Sequence, residues 1–178
     1  LVGGHLAGIR HYRGMENFSS RKYLTVTDAL GIFKDDALQT PPGEAYSYSS
    51  YGWNLLSAVV EGASGEEFLP YIYGNVFGPL DMRNTLAEHM DSIIVARGAY
   101  YVRSGRGMSA RIINAPYVDN SYKWAGGGFV STPEDLMKFA HGLMHGDILS
   151  EDTRNTLWST QHTSDGEATG YGIGFSDG

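Results

Sequence analysis

The chain has 178 residues, 42% apolar and 19% charged, the balance of a globular domain with a real core rather than of a disordered segment. Its formal net charge of −7 argues against nucleic acid or an anionic membrane as main partner, since both need a positive face. With no cysteine there is no disulfide, thiolate metal site or cysteine nucleophile, and no window approaches the roughly 20 apolar residues of a membrane span.

Residues 1–24 read as a loop-rich entry holding His5, His11 and several basic side chains. Thr25 to Phe33 predicts a short helix with Val26, Ala29, Leu30 and Phe33 on one face, broken by Asp35-Asp36 and Pro41-Pro42-Gly43. The segment Tyr46-Ser47-Tyr48-Ser49-Ser50-Tyr51 then opens the best helix of the chain. Gly52, Leu55, Leu56, Val59, Val60 and Ala63 form its apolar stripe, expected to be buried. A hydroxyl-dense loop at the mouth of a buried helix can hold a reactive side chain still, and it can equally serve as a cap.

Phe68, Leu69, Ile72, Val76 and Phe77 keep helical spacing up to Gly78-Pro79, with Pro70 marking a start or a kink. Tyr100-Tyr101-Val102 and Ile112-Ile113 predict a hairpin around Ser104-Gly105-Arg106-Gly107. After Gly126-Gly127-Gly128, the run Ser131-Thr132-Pro133-Glu134-Asp135 carries a cap, a first-turn proline and acidic residues suited to the helix dipole. Leu136, Phe139, Ala140, Leu143 and Met144 supply the buried stripe of that helix, and another helix is expected from Ser150. Tyr171 to Phe175 reads as a strand without a partner in the chain. Neither end reads as a natural terminus, so a fragment is expected.

Four patterns carry possible chemistry. Ser19-Ser20-Arg21-Lys22 matches S-x-x-K, in which a lysine one helical turn away takes the proton of a serine. Its flanks are too irregular for a buried helix. His141 and His145 share a helix face at i, i+4, but that face also carries Lys138, and a solvated pair is the better reading; no metal is expected. The glycine triplet lacks the spacing of a phosphate loop and reads as a tight turn against substrate or protein. In the Tyr-Ser segment, a tyrosine beside a lysine ammonium could exchange protons with a nucleophile; Tyr46 and Tyr48 are both candidates.

Together these pieces resemble one family. Pro42-Gly43-Glu44 through Tyr48-Ser49-Ser50-Tyr51-Gly52 is similar to the P-G-x-x-x-x-Y-S-N-x-G motif of the serine β-lactamase and penicillin-binding-protein superfamily, in its class C-like, D,D-peptidase and esterase branch. His5 to Tyr12 is similar to its His-Thr-Ser-Gly-Ile stretch, and Pro79-Leu80-Asp81-Met82 to its Pro-Leu-Gly-Met turn. Tyr117 to Phe129, with Ser131-Thr132 and Asp135-Leu136, resembles bacterial relatives of the mitochondrial serine β-lactamase-like protein.

The resemblance implies a mainly α (α+β) fold, the helical lobe of the β-lactamase/transpeptidase-like fold, with a small hairpin and the start of one sheet-lobe strand. It makes residues 1–178 a single partial domain, with the catalytic Ser-x-x-Lys upstream and His/Lys-x-Gly downstream. It implies a serine hydrolase acting on amide or ester bonds of peptides or small acyl compounds, without cofactor, in a bacterial cytoplasm or periplasm. Tyr48 matches the catalytic tyrosine, and its spacing from Pro42-Gly43 and Gly52 prefers it over Tyr46. Ser50 stands where many members carry a substrate-binding asparagine, and Gly127 would lie near the substrate. The chain alone is expected to be inactive. The alternative is an inert binding module that self-associates through the surface left by the sheet lobe.

Overall fold

The computed structural model describes residues 1–176. Helix α1 (Val26–Leu30) is capped by Thr25, whose side chain accepts from Asp28 N, and it is shorter than the expected 25–33 because the chain turns at Gly31. Helix α2 (Ser50–Ser64) is capped by Ser49, whose hydroxyl oxygen accepts from Gly52 N at 3.1 Å, and it ends at Gly65 in the left-handed region. Glu61 reaches forward to accept the Phe68 N–H at 2.9 Å and so fixes the turn into α3 (Phe68–Ile72). Pro70 lies in the first turn of α3, where its missing N–H is tolerated. A π turn over Tyr73–Phe77 completes that element.

Strand β1 (Leu86–Ala87) pairs antiparallel with β4 (Phe129–Val130), Leu86 opposite Val130. The expected hairpin is present: β2 (Tyr101–Ser104) pairs with β3 (Arg111–Asn114), Val102 opposite Ile113. Helix α4 (Trp124–Gly127) packs on α2, α5 (Pro133–His145) is capped by Thr132, and α6 (Glu151–Trp158) by Ser150.

The core forms as two clusters bridged by α1. Val26 joins Phe68, Ala87 and Trp124 on one side; Ala29 joins Phe33, Tyr51 and Tyr122 on the other. Beneath the second cluster, the buried Arg10 guanidinium lies over the Tyr51 ring and pairs with Glu16 at 2.7 Å and with Asp36. Those carboxylates hold its pKa above the ordinary range, and the Tyr51 hydroxyl donates to Glu16 at 3.0 Å.

Two expected burial patterns are corrected. On α2 the face turned inward is Tyr51, Asn54 and Ser57; of the apolar stripe only Gly52 is buried, and Val59 is 53% exposed. On α5, Leu143 is buried with Gly142 and Asp135, while Leu136 and Met144 face solvent. Periodicity identifies an apolar face but not whether a neighbour covers it. A third correction concerns residues 171–175, which make a tight turn rather than a strand. Gly172 N bonds to Phe175 O at 2.8 Å, Gly174 sits at φ +82°, and Tyr171 bridges to Ser176.

Candidate active site

The Tyr48 loop owes its shape to hydrogen bonds with the irregular segment from His5 to Arg10. Gly43 N donates to Leu6 O at 2.7 Å and Ser47 N to His5 O at 2.9 Å, and the Ser49 hydroxyl donates to Arg10 O at 2.7 Å. The two histidines then take the amides at the start of α2. His5 Nδ1 accepts from Ser49 N at 3.1 Å, and His11 Nδ1 accepts from Ser50 N at 3.2 Å. Both rings flank the Tyr48 ring, with centroids at 4.4 and 5.4 Å. His5 is buried, and burial, with His11 facing it, lowers its pKa. Its Nδ1 therefore stays an acceptor and its Nε2 holds the proton, for which no partner exists among the described residues.

Tyr48 itself is 50% exposed, its ring against both imidazoles, and it lines a cleft of about 870 Å³. Ser50 and Gly127 line the same cleft, so all three residues singled out in the sequence converge there. Tyr46 does not: its ring lies 5.8 Å from both His5 and Tyr171, outside the lining. Ser50 is buried beside Tyr12; burial, with the Tyr48 phenol nearby, pushes the Tyr12 phenol up to about 12 despite its hydrogen bond with Ser50. Tyr12 thus keeps its proton at physiological pH.

The glycine triplet divides its work. A Cβ on Gly126 would lie 3.1 Å from the Asn54 side chain and from Ser50 O, and one on Gly128 would lie 2.5 Å from the Trp124 ring. These two glycines let α4 close onto α2 and onto its own tryptophan. A Cβ on Gly127, whose φ is +137°, would meet nothing within 4 Å, and this glycine faces the cleft. The tight turn meets protein on two sides and open space on the third.

Four polar residues around the cleft escape sequence reasoning. Glu88 is buried and accepts from Arg97 Nη1 at 3.0 Å and from Asn120 Nδ2. Lys123 is half-buried beside them, and burial lowers its pKa against the opposing pull of Glu88. The hairpin and its approaches line the same cleft with Tyr100, Tyr101 and Tyr117, and the Arg97 guanidinium lies over the Tyr100 ring at 5.9 Å from its centroid. The signal available was the position of Lys123 between two aromatics just ahead of the glycines.

Two other candidate patterns lie elsewhere. Ser19 and Lys22 sit on an extended loop, and Lys22 pairs with Asp91 at 2.6 Å, which commits its ammonium to that carboxylate. His141 and His145 stack at 4.0 Å on the exposed side of α5, and His145 Nδ1 is occupied by His141 O at 3.0 Å. Among the described residues, no group of three His, Asp or Glu side chains could hold a metal.

The family model described as Beta-lactamase matches residues 4–178. The chain belongs to the β-lactamase family. The serine beta-lactamase-like protein LACTB, mitochondrial, of Mus musculus is 42% identical over 131 residues, 74% of this chain and 23% of that protein. A penicillin-binding protein of Bacillus halodurans has a structure matching with a TM-score of 0.76 at 26% identity, over 97% of this chain and 53% of its own. The octameric penicillin-binding protein homologue of Pyrococcus abyssi shares the fold, with a TM-score of 0.71 at 21% identity, over 97% of this chain and 41% of its own. This β-lactamase-family chain thus spans about a quarter of the mouse relative and about half of the Bacillus structure. The mixture of helices with small sheets fits a partial β-lactamase-like fold.

Proposed function

We propose that this chain is the helical lobe of a serine hydrolase that forms and hydrolyses an acyl-enzyme on amide or ester bonds of peptides or small acyl compounds. The observation that carries this reading is the Tyr48 phenol, set against two imidazoles in the lining of a cleft of about 870 Å³ that Ser50 and Gly127 also line. Tyr48 passes the proton between nucleophile and leaving group. Ser50, with one hydroxyl in place of an amide, and the Gly127 backbone touch substrate. The serine and its activating lysine come from residues outside these 178, and the half-covered stripe of α2 is where the sheet lobe packs. Left uncovered, such a stripe favours self-association.

A fluorophosphonate probe tests this directly. The 178-residue chain stays unlabelled, whereas the longer protein containing an upstream Ser-x-x-Lys is labelled at that serine. There, Tyr48→Phe lowers turnover by about 10²–10⁴-fold, the range of a lost general acid–base group. The fold stays intact, because among the described residues no hydrogen bond of the hydroxyl supports it. Stoichiometric labelling of Ser19 in the short chain would instead place the nucleophile in the loop tetrad.

A further inference from the structure

The cleft wall carries three formal charges, and two of them cancel. Glu88 is occupied by Arg97 at 3.0 Å and by Asn120. Lys123 is left over. The chain has three other lysines, and each has a carboxylate: Lys22 meets Asp91 at 2.6 Å, Lys34 meets Asp35 at 2.7 Å and Lys138 meets Asp81 at 3.5 Å. Among the described residues Lys123 has no such ion pair; its ammonium rests over the Tyr122 ring, 5.2 Å from the centroid. A half-buried ammonium loses hydration, and the one carboxylate near enough to pull on it, Glu88, forms no ion pair with it and is already paired with Arg97, so its described neighbours restore only part of that loss. It does so inside a cleft of about 870 Å³, in a chain whose net charge of −7 would otherwise repel anions.

We propose that Lys123 is the anion receptor of this cleft, and that its substrates are acyl compounds bearing a carboxylate, which sits on the ammonium between the tyrosine walls. Burial weakens the hold of Lys123 on its proton, and an arriving carboxylate restores it, so binding and charge reinforce each other. The tyrosines at 100, 101 and 117 offer flat apolar surface to the remainder of such a ligand. The word substrate rests on the hydrolase reading above; the receptor itself does not, because it is tested by binding alone.

Isothermal titration of the full 178-residue chain with sodium hippurate and with neutral hippuramide reads the preference. Hippurate binds about ten-fold more tightly, a difference of about 1.4 kcal/mol. Lys123→Met brings the two ligands to parity, Lys123→Arg keeps most of the preference, and Lys22→Met leaves it unchanged. A second arm needs no variant: hippurate, but not hippuramide, shields Lys123 from an amine-acetylating reagent, with Lys22, Lys34 and Lys138 as internal controls in the peptide map. Equal affinities, no hippurate binding at millimolar concentration, a preference that survives Lys123→Met in a folded variant, or an unshielded Lys123 each overturn the proposal. If the longer protein takes no fluorophosphonate while the hippurate preference holds, the hydrolase reading fails and the receptor stands.

Discussion

Asp135 is the fully buried carboxylate on which the approach to the cleft hangs. One of its oxygens accepts the Asn84 N–H at 2.7 Å and the Thr85 hydroxyl at 2.9 Å, so it ties the start of α5 to the residues leading into β1 and Glu88. Asp135→Ala orphans the Asn84 amide, at about 1–3 kcal/mol for a donor left without a partner. It also removes a carboxylate from the first turn of α5, where the helix dipole adds about 0.3–1 kcal/mol. The Thr85 hydroxyl adds less, because Ser131 Oγ lies 2.8 Å away as a second partner. The sum is about 2–4 kcal/mol, a large share of the roughly 5–15 kcal/mol that holds a domain together. Asp135→Asn keeps one acceptor oxygen and loses the charge, so about half of that loss is expected. Urea titration followed by tryptophan emission measures both variants from their midpoints at unchanged slope. If Ala stays within about 0.5 kcal/mol of the native chain, or if Asn is as damaging as Ala, the carboxylate is not the tie described.

Because burial and His11 set the pKa of His5 below its ordinary 6.5, the unfolded chain binds more protons than the folded one in the window just below that value. Stability is therefore full above the unfolded pKa and falls as pH drops through 6.5 toward the folded value, and His5→Gln flattens this part of a urea-midpoint profile. Gly128→Ala places a Cβ 2.5 Å from the Trp124 ring and 2.9 Å from its Cα, which cannot retreat, so about 1–3 kcal/mol is lost with a shift in tryptophan emission. Val59→Asp, on the exposed part of α2, changes stability by about 0.5 kcal/mol or less but lowers the apparent mass in light scattering; an unchanged mass at high concentration removes that face from self-association.

What could be read from the sequence was local. Thr25, Ser49, Thr132 and Ser150 all cap helices, as the positions of hydroxyls before apolar periodicity foretell. Tyr48 and Ser50 were singled out differently, by the likeness of Pro42-Gly43 through Gly52 to a family motif, because local chemistry by itself left a cap as the simpler reading of those hydroxyls; the structure places both in the lining of one cleft. Burial was not local. The α2 stripe satisfies every rule for a core face, yet Val59 stands 53% exposed, and the inward face proved to be Tyr51, Asn54 and Ser57. Those polar groups are accommodated by tertiary bonds such as Asn54 Nδ2 to Tyr122 O, which join residues far apart in the chain. Glu88, Arg97, Asn120 and Lys123 escaped notice because they come from irregular backbone, where no period marks which side chains turn inward.

The division of labour around Tyr48 follows from where its support comes from. Its backbone neighbours are fixed by the amides of Gly43, Ser47, Ser49 and Ser50, and its ring by two imidazoles, while its hydroxyl bonds to none of the described residues. A side chain whose position depends on others, and on which no fold contact depends, is free to be spent on chemistry. Lys123 presents the converse case. Its backbone is flanked by Tyr122 and Trp124, both in the core, so the fold dictates where the ammonium emerges, and no carboxylate among the described residues meets it. The Tyr48 phenol and the Lys123 ammonium thus line one cleft, the first free of fold contacts and the second without an ion pair among the described residues, and a ligand carboxylate that satisfied the cation would leave its remainder to the tyrosines that share the lining.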